Sequence, residues 1–261
     1  MACSPNWPAL RSGFGGGTQQ AFSKARQGFS ARLFAAANAH LLAMAQPLID
    51  AHRWHGLRVV AADASRLQVS TRADASLRPD HYAFALFLPG AEWTLHASLH
   101  APDGCERQML LEALDELEPG RDVLVLDRGY PGNAMAAALA QRGVDFCVRV
   151  DATAWKVVKA FLRSNQSEAL VTLDPPKRRD ALDYGLQRAP TRVRLIRDVT
   201  PTGSVRILMT SLLDAQRHPA ADFGALYHRR WRMCGSRLRR WRGPSGTGWW
   251  CWLKATPPRC N

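Results

Sequence analysis

A ten-residue stretch at positions 123–132 constrains the fold of this chain more than any other feature. It reads Val-Leu-Val-Leu-Asp-Arg-Gly-Tyr-Pro-Gly, so four apolar residues run directly into the carboxylate of Asp127 and then a turn. A short apolar run bounded by turn residues is typical of a strand buried on both faces. The Ala-rich segment 133–141 then predicts a helix. Because open α/β sheets bind ligands at the carboxyl ends of such strands, Asp127 is a candidate functional residue.

A second carboxylate stands in a similar setting. Residues 57–65 read Leu-Arg-Val-Val-Ala-Ala-Asp-Ala-Ser, so Asp63 follows another apolar run. Two Asp residues at the ends of two strands can share metal ions, because hard divalent ions favour carboxylate oxygens. An Asp that ends a strand can instead cap the next helix. The residues alone leave both interpretations open for Asp63 and for Asp127.

The spacing of apolar residues predicts how the chain is organised. After a segment expected to be disordered, residues 1–20, apolar residues recur every three to four positions over 21–56 and predict helices. Residues 57–150 then predict three strands, a helix, a strand, a helix and a strand, an α/β core that opens with an antiparallel meander. Residues 151–220 predict a β-rich insertion, and 221–232 predict the start of a final helix.

The pattern ends near residue 233. Residues 233–261 have neither the period of a strand nor that of a helix, and five of the nine Trp lie between positions 231 and 252. Nine Lys and Arg and no acid lie in 227–261, so much of the net charge of +13 comes from this tail. Such a composition is typical of GC-rich coding sequence read in the wrong frame. We therefore expect a frameshift near residue 233, an unstructured tail, and little meaning in the net charge alone.

Two classes of protein are disfavoured by simple patterns. No apolar stretch reaches the ~18 residues that a membrane-spanning helix needs, and the first residues lack the order of a secretion signal. A cytoplasmic protein without membrane partners is therefore expected. The six cysteines form no Cys-x-x-Cys pair, which argues against a zinc knuckle.

Four motifs together resemble bacterial insertion-sequence transposases of the DDE type, in the class related to the fourth named insertion sequence. They are Val-Val-Ala-Ala-Asp-Ala-Ser at 59–65, Arg-Pro-Asp-His-Tyr-Ala-Phe at 78–84, Leu-Asp-Arg-Gly-Tyr-Pro-Gly at 126–132 and Leu-Tyr-His-Arg-Arg-Trp-Arg at 226–232. The resemblance covers residues 21–232. It implies a ribonuclease-H-like catalytic core with a β-rich insertion, preceded here by a short helical N-terminal segment. It also implies cleavage and joining of DNA at transposon ends with Mg²⁺ or Mn²⁺ as cofactor.

The resemblance assigns catalytic roles by position. Asp63 and Asp127 match the first two catalytic, metal-binding acids of the family. The third signature is Tyr, two residues, Arg, three residues, Glu, six residues, Lys. Cys234 stands where the Glu is expected and Trp241 where the Lys is expected, so the third acid is absent. Metal binding is therefore expected to be weakened.

Three residues are candidates for contacts with DNA. Tyr227 and Arg230 fit the beginning of the third signature, and the resemblance implies that they support a DNA phosphate near the site. The alternative for both residues is a solvated, basic helix end. Arg128, beside Asp127, is a further phosphate candidate, although an ion pair with an acid is the favoured interpretation.

The sequence thus predicts a DDE transposase that keeps two catalytic Asp residues, lacks the helix with the Glu, and is catalytically inactive. Its expected partners are DNA at transposon ends and either a second copy of itself or the intact transposase. A DNA-binding regulator that inhibits the intact enzyme without catalysis is the alternative function.

Overall fold

Eight strands form one sheet in the computed structural model of this chain, which describes residues 19–68, 80–151 and 155–230. The strands β1 to β8 are Arg58–Gln68, Asp80–Leu88, Trp93–His100, Asp122–Leu126, Asp145–Val150, Glu168–Leu173, Thr191–Val199 and Val205–Thr210. The α-helices of the described residues, α1 to α8, are Gln19–Gln27, Ala31–Met44, Gln46–Ala51, Glu106–Glu112, Asn133–Gln141, Lys156–Arg163, Arg178–Asp183 and Phe223–Arg229. Two short 3-10 helices are Leu114–Glu116 and Ala220–Asp222.

The chain divides into two units, residues 1–44 and residues 45–261. The first unit contains α1 and α2, and the second contains the remaining described elements. Because α1 begins at Gln19, the expectation of disorder over 1–20 is wrong for its last two residues. The rest of that segment and the predicted aberrant tail lie outside the described residues. None of the described helices combines the length and the apolar character needed to cross a membrane.

The order of the strands is β3-β2-β1-β4-β5-β8-β7-β6. β1 pairs antiparallel with β2 and parallel with β4, and β4 pairs parallel with β5. The antiparallel meander therefore sits on one side of two parallel strands, as the sequence predicts. The predicted fold class, an α/β core of ribonuclease-H-like type, is confirmed.

The strands after β5 continue the same sheet. β8 pairs antiparallel with β5, β7 with β8, and β6 with β7. The predicted β-rich character of residues 151–220 is thus found in strands that share the sheet of the core. The limits of that segment as a separate insertion stay a prediction. The six-residue helix α7, which begins at Arg178, lies between β6 and β7.

The central strand β4 is buried along its whole length, which explains its uninterrupted apolar sequence. Val123 and Val125 point to one face and pack in a single core cluster with Leu226 and Tyr227 of α8. On the other strand of the parallel pair, Val59 belongs to the same cluster. Since side chains alternate along a strand, residues two or four positions after Val59 or Val125 lie on the same face, the one that α8 covers.

A buried ion pair fixes β1 against β4 at the start of both strands. The Arg58 guanidinium donates to both carboxylate oxygens of Asp122, each at 2.6 Å, and Asp122 is fully buried. These two residues are also register partners in the parallel pair. The Asp122 carboxylate additionally accepts the backbone N–H of Glu118 at 2.8 Å. The pairing of the two strands is therefore set by a fully bonded polar contact as well as by apolar packing.

Candidate active site

The register of the parallel pair brings the two predicted catalytic acids together. The last paired residues of β1 and β4 are Ala61 and Val125, and the same offset two residues further on places Asp63 opposite Asp127. Neighbouring strands lie about 4.8 Å apart. Both residues stand at even spacing from the core valines, so they share the face covered by α8.

The setting of Asp63 differs from the prediction in one respect. Asp63 does not end its strand, because β1 continues to Gln68 through its pairing with β2. The parallel partner β4 stops at Leu126, so from Asp63 onward β1 is paired with β2 but no longer with β4.

Neither carboxylate caps a helix. The helix after Asp127 is α5, whose N-cap residue is Gly132, and the Asp127 Oδ1 atom accepts the backbone N–H of Arg128 at 2.7 Å. The helix after Asp63 is α4, which begins two strands later. The helix-capping interpretation is therefore wrong for both Asp63 and Asp127.

Tyr227 in helix α8 and Arg230, the residue that ends it, both contact Asp127. The Arg230 Nη2 atom lies 2.6 Å from Asp127 Oδ2, and the Tyr227 hydroxyl donates to Asp127 Oδ1 at 3.4 Å. Tyr227 is fully buried and Arg230 is 4% exposed. A solvated helix end is therefore the wrong interpretation of these two residues. Their predicted contact with DNA stays a prediction.

Arg230 keeps its charge and Tyr227 keeps its proton around neutral pH. Burial alone would lower the pKa of Arg230, but the charge of Asp127, together with smaller contributions from Tyr227 and Asp63, outweighs burial and the pKa is raised. Burial, followed by the charge of Asp127, raises the pKa of the Tyr227 hydroxyl. Arg230 is thus a fixed cation on the Asp127 carboxylate, and Tyr227 is a neutral hydrogen-bond donor.

A third carboxylate, Glu106, belongs to this neighbourhood and was not predicted. It is the first residue of α4, and its Oε2 atom would lie 3.6 Å from a Cβ added at Gly129 in the turn after Asp127. Burial, and then the charges of Asp63 and Asp127, raise the pKa of Glu106 to about 7. An acid in the first turn of a helix is ordinary, because it suits the helix dipole. Its sequence position therefore gave no indication of its role.

Tyr130 adds a buried hydroxyl beside the three acids. The side chain is 1% exposed, and its hydroxyl has no hydrogen-bond partner among the residues that the structure describes. Burial, and then the charges of Glu106 and Asp63, raise its pKa well above the ordinary value. Tyr130 is therefore a neutral hydroxyl with unused hydrogen-bonding capacity next to the carboxylates.

These residues do not form a complete site for a divalent metal as they are placed. Within residues 19–68, 80–151 and 155–230, no group of three or more His, Cys, Asp or Glu side chains could hold a metal ion. Both oxygens of Asp127 already have protein partners, Arg230 on one side and the Arg128 backbone N–H and Tyr227 hydroxyl on the other. A cation at Asp127 Oδ2 would therefore have to compete with the Arg230 guanidinium.

A second layer of contacts holds α8 in place. The Arg206 guanidinium pairs with Asp198 and lies 4.9 Å from the centre of the Tyr227 ring. Arg206 also donates to the Gly224 carbonyl oxygen at 3.3 Å. A Cβ added at Gly224 would lie 2.2 Å from Asp198 Oδ1, so only glycine fits there without movement. The position of Tyr227 therefore depends on β7 and β8.

Unlike the neighbouring Asp127, Arg128 points to solvent. Its side chain is exposed, and it forms no ion pair within the described part of the chain, so the ion-pair interpretation is not realised there. Together with Arg107 it lines a cleft beside Asp127. Arg107 was not predicted, since a single Arg in an amphipathic helix carries no distinctive pattern.

The aligned carboxylates on a mixed sheet of this order define a ribonuclease-H-like protein. A family model described as the transposase DDE domain matches residues 54–233, the larger part of the chain. The chain therefore belongs to the DDE transposase domain family, and the predicted family is confirmed. Divalent metal ions are general cofactors of this family. DNA is the substrate class on which it acts.

Solved structures give weaker likenesses. Endonuclease V of Ciona intestinalis, in complex with a 23mer DNA containing inosine, is 11% identical over 70% of this chain and 83% of its own, with a TM-score of 0.27. The catalytic domain of human Endonuclease V is 12% identical over 78% of this chain and 91% of its own, with a TM-score of 0.30. At these scores neither likeness adds to the fold assignment. A comparison with curated proteins found no match.

Proposed function

We propose that this chain derives from an enzyme that cleaves and joins DNA at transposon ends, and that it retains DNA binding without either reaction. The observation that carries the proposal is the environment of Asp127. This acid aligns with Asp63 on the parallel strand, yet it is bonded to Arg230 at 2.6 Å. The third acid of the family signature is replaced by Cys234, which lies outside the described residues.

The chemistry of DNA strand transfer explains why this arrangement is inactive. Two divalent ions about 4 Å apart activate the attacking oxygen and stabilise the leaving oxygen in such reactions. Two carboxylates, one of them already neutralised by an arginine, bind such ions weakly. Any Mg²⁺ or Mn²⁺ taken up by Asp63 and Asp127 is therefore bound with low affinity in this chain.

Plasmid nicking tests the loss of catalysis. Supercoiled plasmid that carries the DNA flanking this gene is incubated with the chain in MgCl₂ or MnCl₂. We expect no nicking above that of a double Asp63→Asn, Asp127→Asn variant, which serves as the control for contaminating nuclease. Nicking by the unmodified chain that Asp63→Asn abolishes would overturn the proposed inactivity.

Restoring the missing signature tests the proposed descent. In a chain whose sequence from residue 233 onward is read in the neighbouring frame, the family signature requires a Glu at 234 and a Lys at 241. If that frame supplies them in helical period, the repaired chain is expected to nick the plasmid in a metal-dependent way that needs both Asp residues. A neighbouring frame without such a helix would contradict the frameshift.

A regulator of the intact transposase is the second candidate function. It is favoured by Arg107 and Arg128, whose cleft beside the site does not depend on the missing acid. Such a regulator binds DNA in a salt-dependent way, and the binding survives Asp63→Ala. Added to the repaired enzyme, it reduces nicking, either by covering DNA ends or by pairing with the enzyme. Unchanged nicking at saturating concentrations of this chain would exclude the regulator.

A further inference from the structure

Two acid–arginine dipeptides border the candidate active site. Glu106 is followed by Arg107 at the start of α4, and Asp127 is followed by Arg128 after β4. In each pair the acid belongs to the carboxylate neighbourhood, whereas the arginine lines the adjacent cleft. The chain thus places negative charge inside the site and positive charge at its border from the same two segments.

The cleft has the dimensions and lining of a small binding site. Its volume is about 330 Å³, and its walls include Asn133, Asp151 and Trp155 in addition to the two arginines. Asp151 and Arg128 are exposed, so the cleft opens to solvent. Two cations against one anion leave it with a positive charge, which suits a phosphate.

Two of the groups that line the cleft, Arg107 and Trp155, are held in place by hydrogen bonds. The Arg107 Nε atom donates to the Gly129 carbonyl oxygen at 3.0 Å, which anchors the guanidinium against the turn after Asp127. The Trp155 Nε1 atom donates to Asn133 Oδ1 at 2.6 Å, which fixes the plane of the indole. A fixed planar cation and a fixed aromatic ring lose little conformational entropy when a ligand binds.

We propose that this cleft binds one nucleotide of a single DNA strand, with its phosphate on Arg128 and Arg107 and its base against the indole of Trp155. Guanidinium groups pair with phosphate through planar donors, and aromatic rings stack on any base. Because Arg128 directly follows Asp127, the strand is held next to the carboxylates. The inference rests on the proposed function, since it takes DNA as the substrate class.

Oligonucleotide binding without metal tests the cleft separately from catalysis. The binding of a fluorescent oligo-dT strand of about 12 nucleotides, within the range of single-strand site sizes, is measured by anisotropy in EDTA. The variants are Arg128→Gln, whose side chain is exposed, and Trp155→Leu. The matched control is Arg142→Gln, which removes the same charge at the opposite end of α5.

We expect Arg128→Gln and Trp155→Leu each to weaken binding about fivefold or more, and Trp155→Phe to weaken it less because a ring remains. The salt dependence of binding should become shallower by about one phosphate contact in Arg128→Gln. The Arg142→Gln control should bind within about twofold of the unmodified chain, since exposed ion pairs contribute little. Circular dichroism establishes that each variant is folded.

Three results would overturn the assignment in different ways. An unmodified chain that binds no DNA overturns both the cleft and the proposed function. If the chain binds DNA but Arg128→Gln and Trp155→Leu bind as the control does, the cleft is overturned and the proposed function stands. If only Arg128→Gln is weakened and inorganic phosphate competes fully, the site is a phosphate site and the nucleotide assignment is overturned.

Discussion

Arg230 and Asp127 form the contact on which the character of this site depends: 2.6 Å separates Nη2 from Oδ2, and the arginine is almost fully buried. The positive charge that faces Asp127, at the end of the central strand β4, is thus an arginine side chain. The contact joins α8 to β4, which are about 100 residues apart in the sequence. The same ion pair therefore holds α8 against β4 and sets the charge at Asp127.

Removing this arginine should strengthen metal binding. In Arg230→Met the Asp127 carboxylate loses its guanidinium partner, so a divalent ion no longer competes with that guanidinium for Asp127. We expect Mn²⁺ affinity to rise about tenfold, which corresponds to about 1.4 kcal/mol. The measurement is a titration of free Mn²⁺ by electron paramagnetic resonance.

Two controls accompany that titration. Arg230→Lys keeps the positive charge and should leave Mn²⁺ affinity low, whereas adding Asp127→Asn to Arg230→Met should remove the gain. Equal Mn²⁺ affinity in all four chains would show that Arg230 does not compete with a cation at Asp127.

The stability of the fold should depend on pH through Glu106. Its pKa is raised from 4.5 to about 7, so between these values the folded chain binds more protons than the unfolded one. Stability contributed by the protonated carboxyl is therefore lost as pH rises from about 4.5 to about 7. Glu106→Gln removes this loss and should be more stable than the unmodified chain at pH 8, by about 1–2 kcal/mol after allowance for solvent screening.

Urea unfolding at several pH values between 5 and 8 measures this effect. The matched control is Glu112→Gln on the exposed side of the same helix, which should keep the pH dependence of the unmodified chain. An unmodified chain and a Glu106→Gln variant with parallel stability profiles would contradict the burial of Glu106 among the acids.

Packing of α8 should be sensitive to the smallest added side chain. In Gly224→Ala the new Cβ would meet Asp198 Oδ1 at 2.2 Å, so either the helix or the Asp198–Arg206 pair must move. Overpacking of this kind costs about 1–3 kcal/mol. Thermal unfolding measures the loss. Ala225→Ser, on the exposed neighbouring position, should change stability by less than about 0.5 kcal/mol.

How much of this site the sequence predicts depends on how local each signal is. β4 and α5 follow from an apolar run, a turn and an Ala-rich segment, and α5 spans the predicted residues, 133–141. The apolar run that stops before Asp63 suggests a strand end, whereas β1 pairs with β2 and continues for five residues beyond Asp63, to Gln68. Only the register of two distant strands brings Asp63 and Asp127 together.

The elements that sequence analysis missed depend on tertiary contacts or on short signals. Glu106 joins the acids because α4 packs beside the turn after Asp127, and no local pattern encodes that approach. α7 has six residues, too few for a clear apolar period, and follows two prolines. The structure ends α7 in a common way: Gly185 adopts a φ of 61°, and the Leu186 N–H donates to the Ala181 carbonyl oxygen at 2.8 Å.

Removing one residue of the buried Arg58–Asp122 pair should destabilise the fold much more than removing both. Asp122→Ala leaves a buried guanidinium without its main partner, which costs about 3–5 kcal/mol. Replacing both residues, as Arg58→Met with Asp122→Leu, removes both charges and should cost much less. Urea unfolding of the two single variants and the double variant measures the coupling between them.

The same variants test whether the pair sets the register that aligns Asp63 and Asp127, the two predicted catalytic acids. Since Arg58 and Asp122 are register partners five residues before Asp63 and Asp127, apolar packing alone must hold the alignment in the double variant. Amide hydrogen exchange of β1 and β4 should then remain as slow as in the unmodified chain if the valines suffice. Faster exchange in the double variant at equal overall stability would mean that the ion pair, and not the apolar strand, positions Asp63 against Asp127.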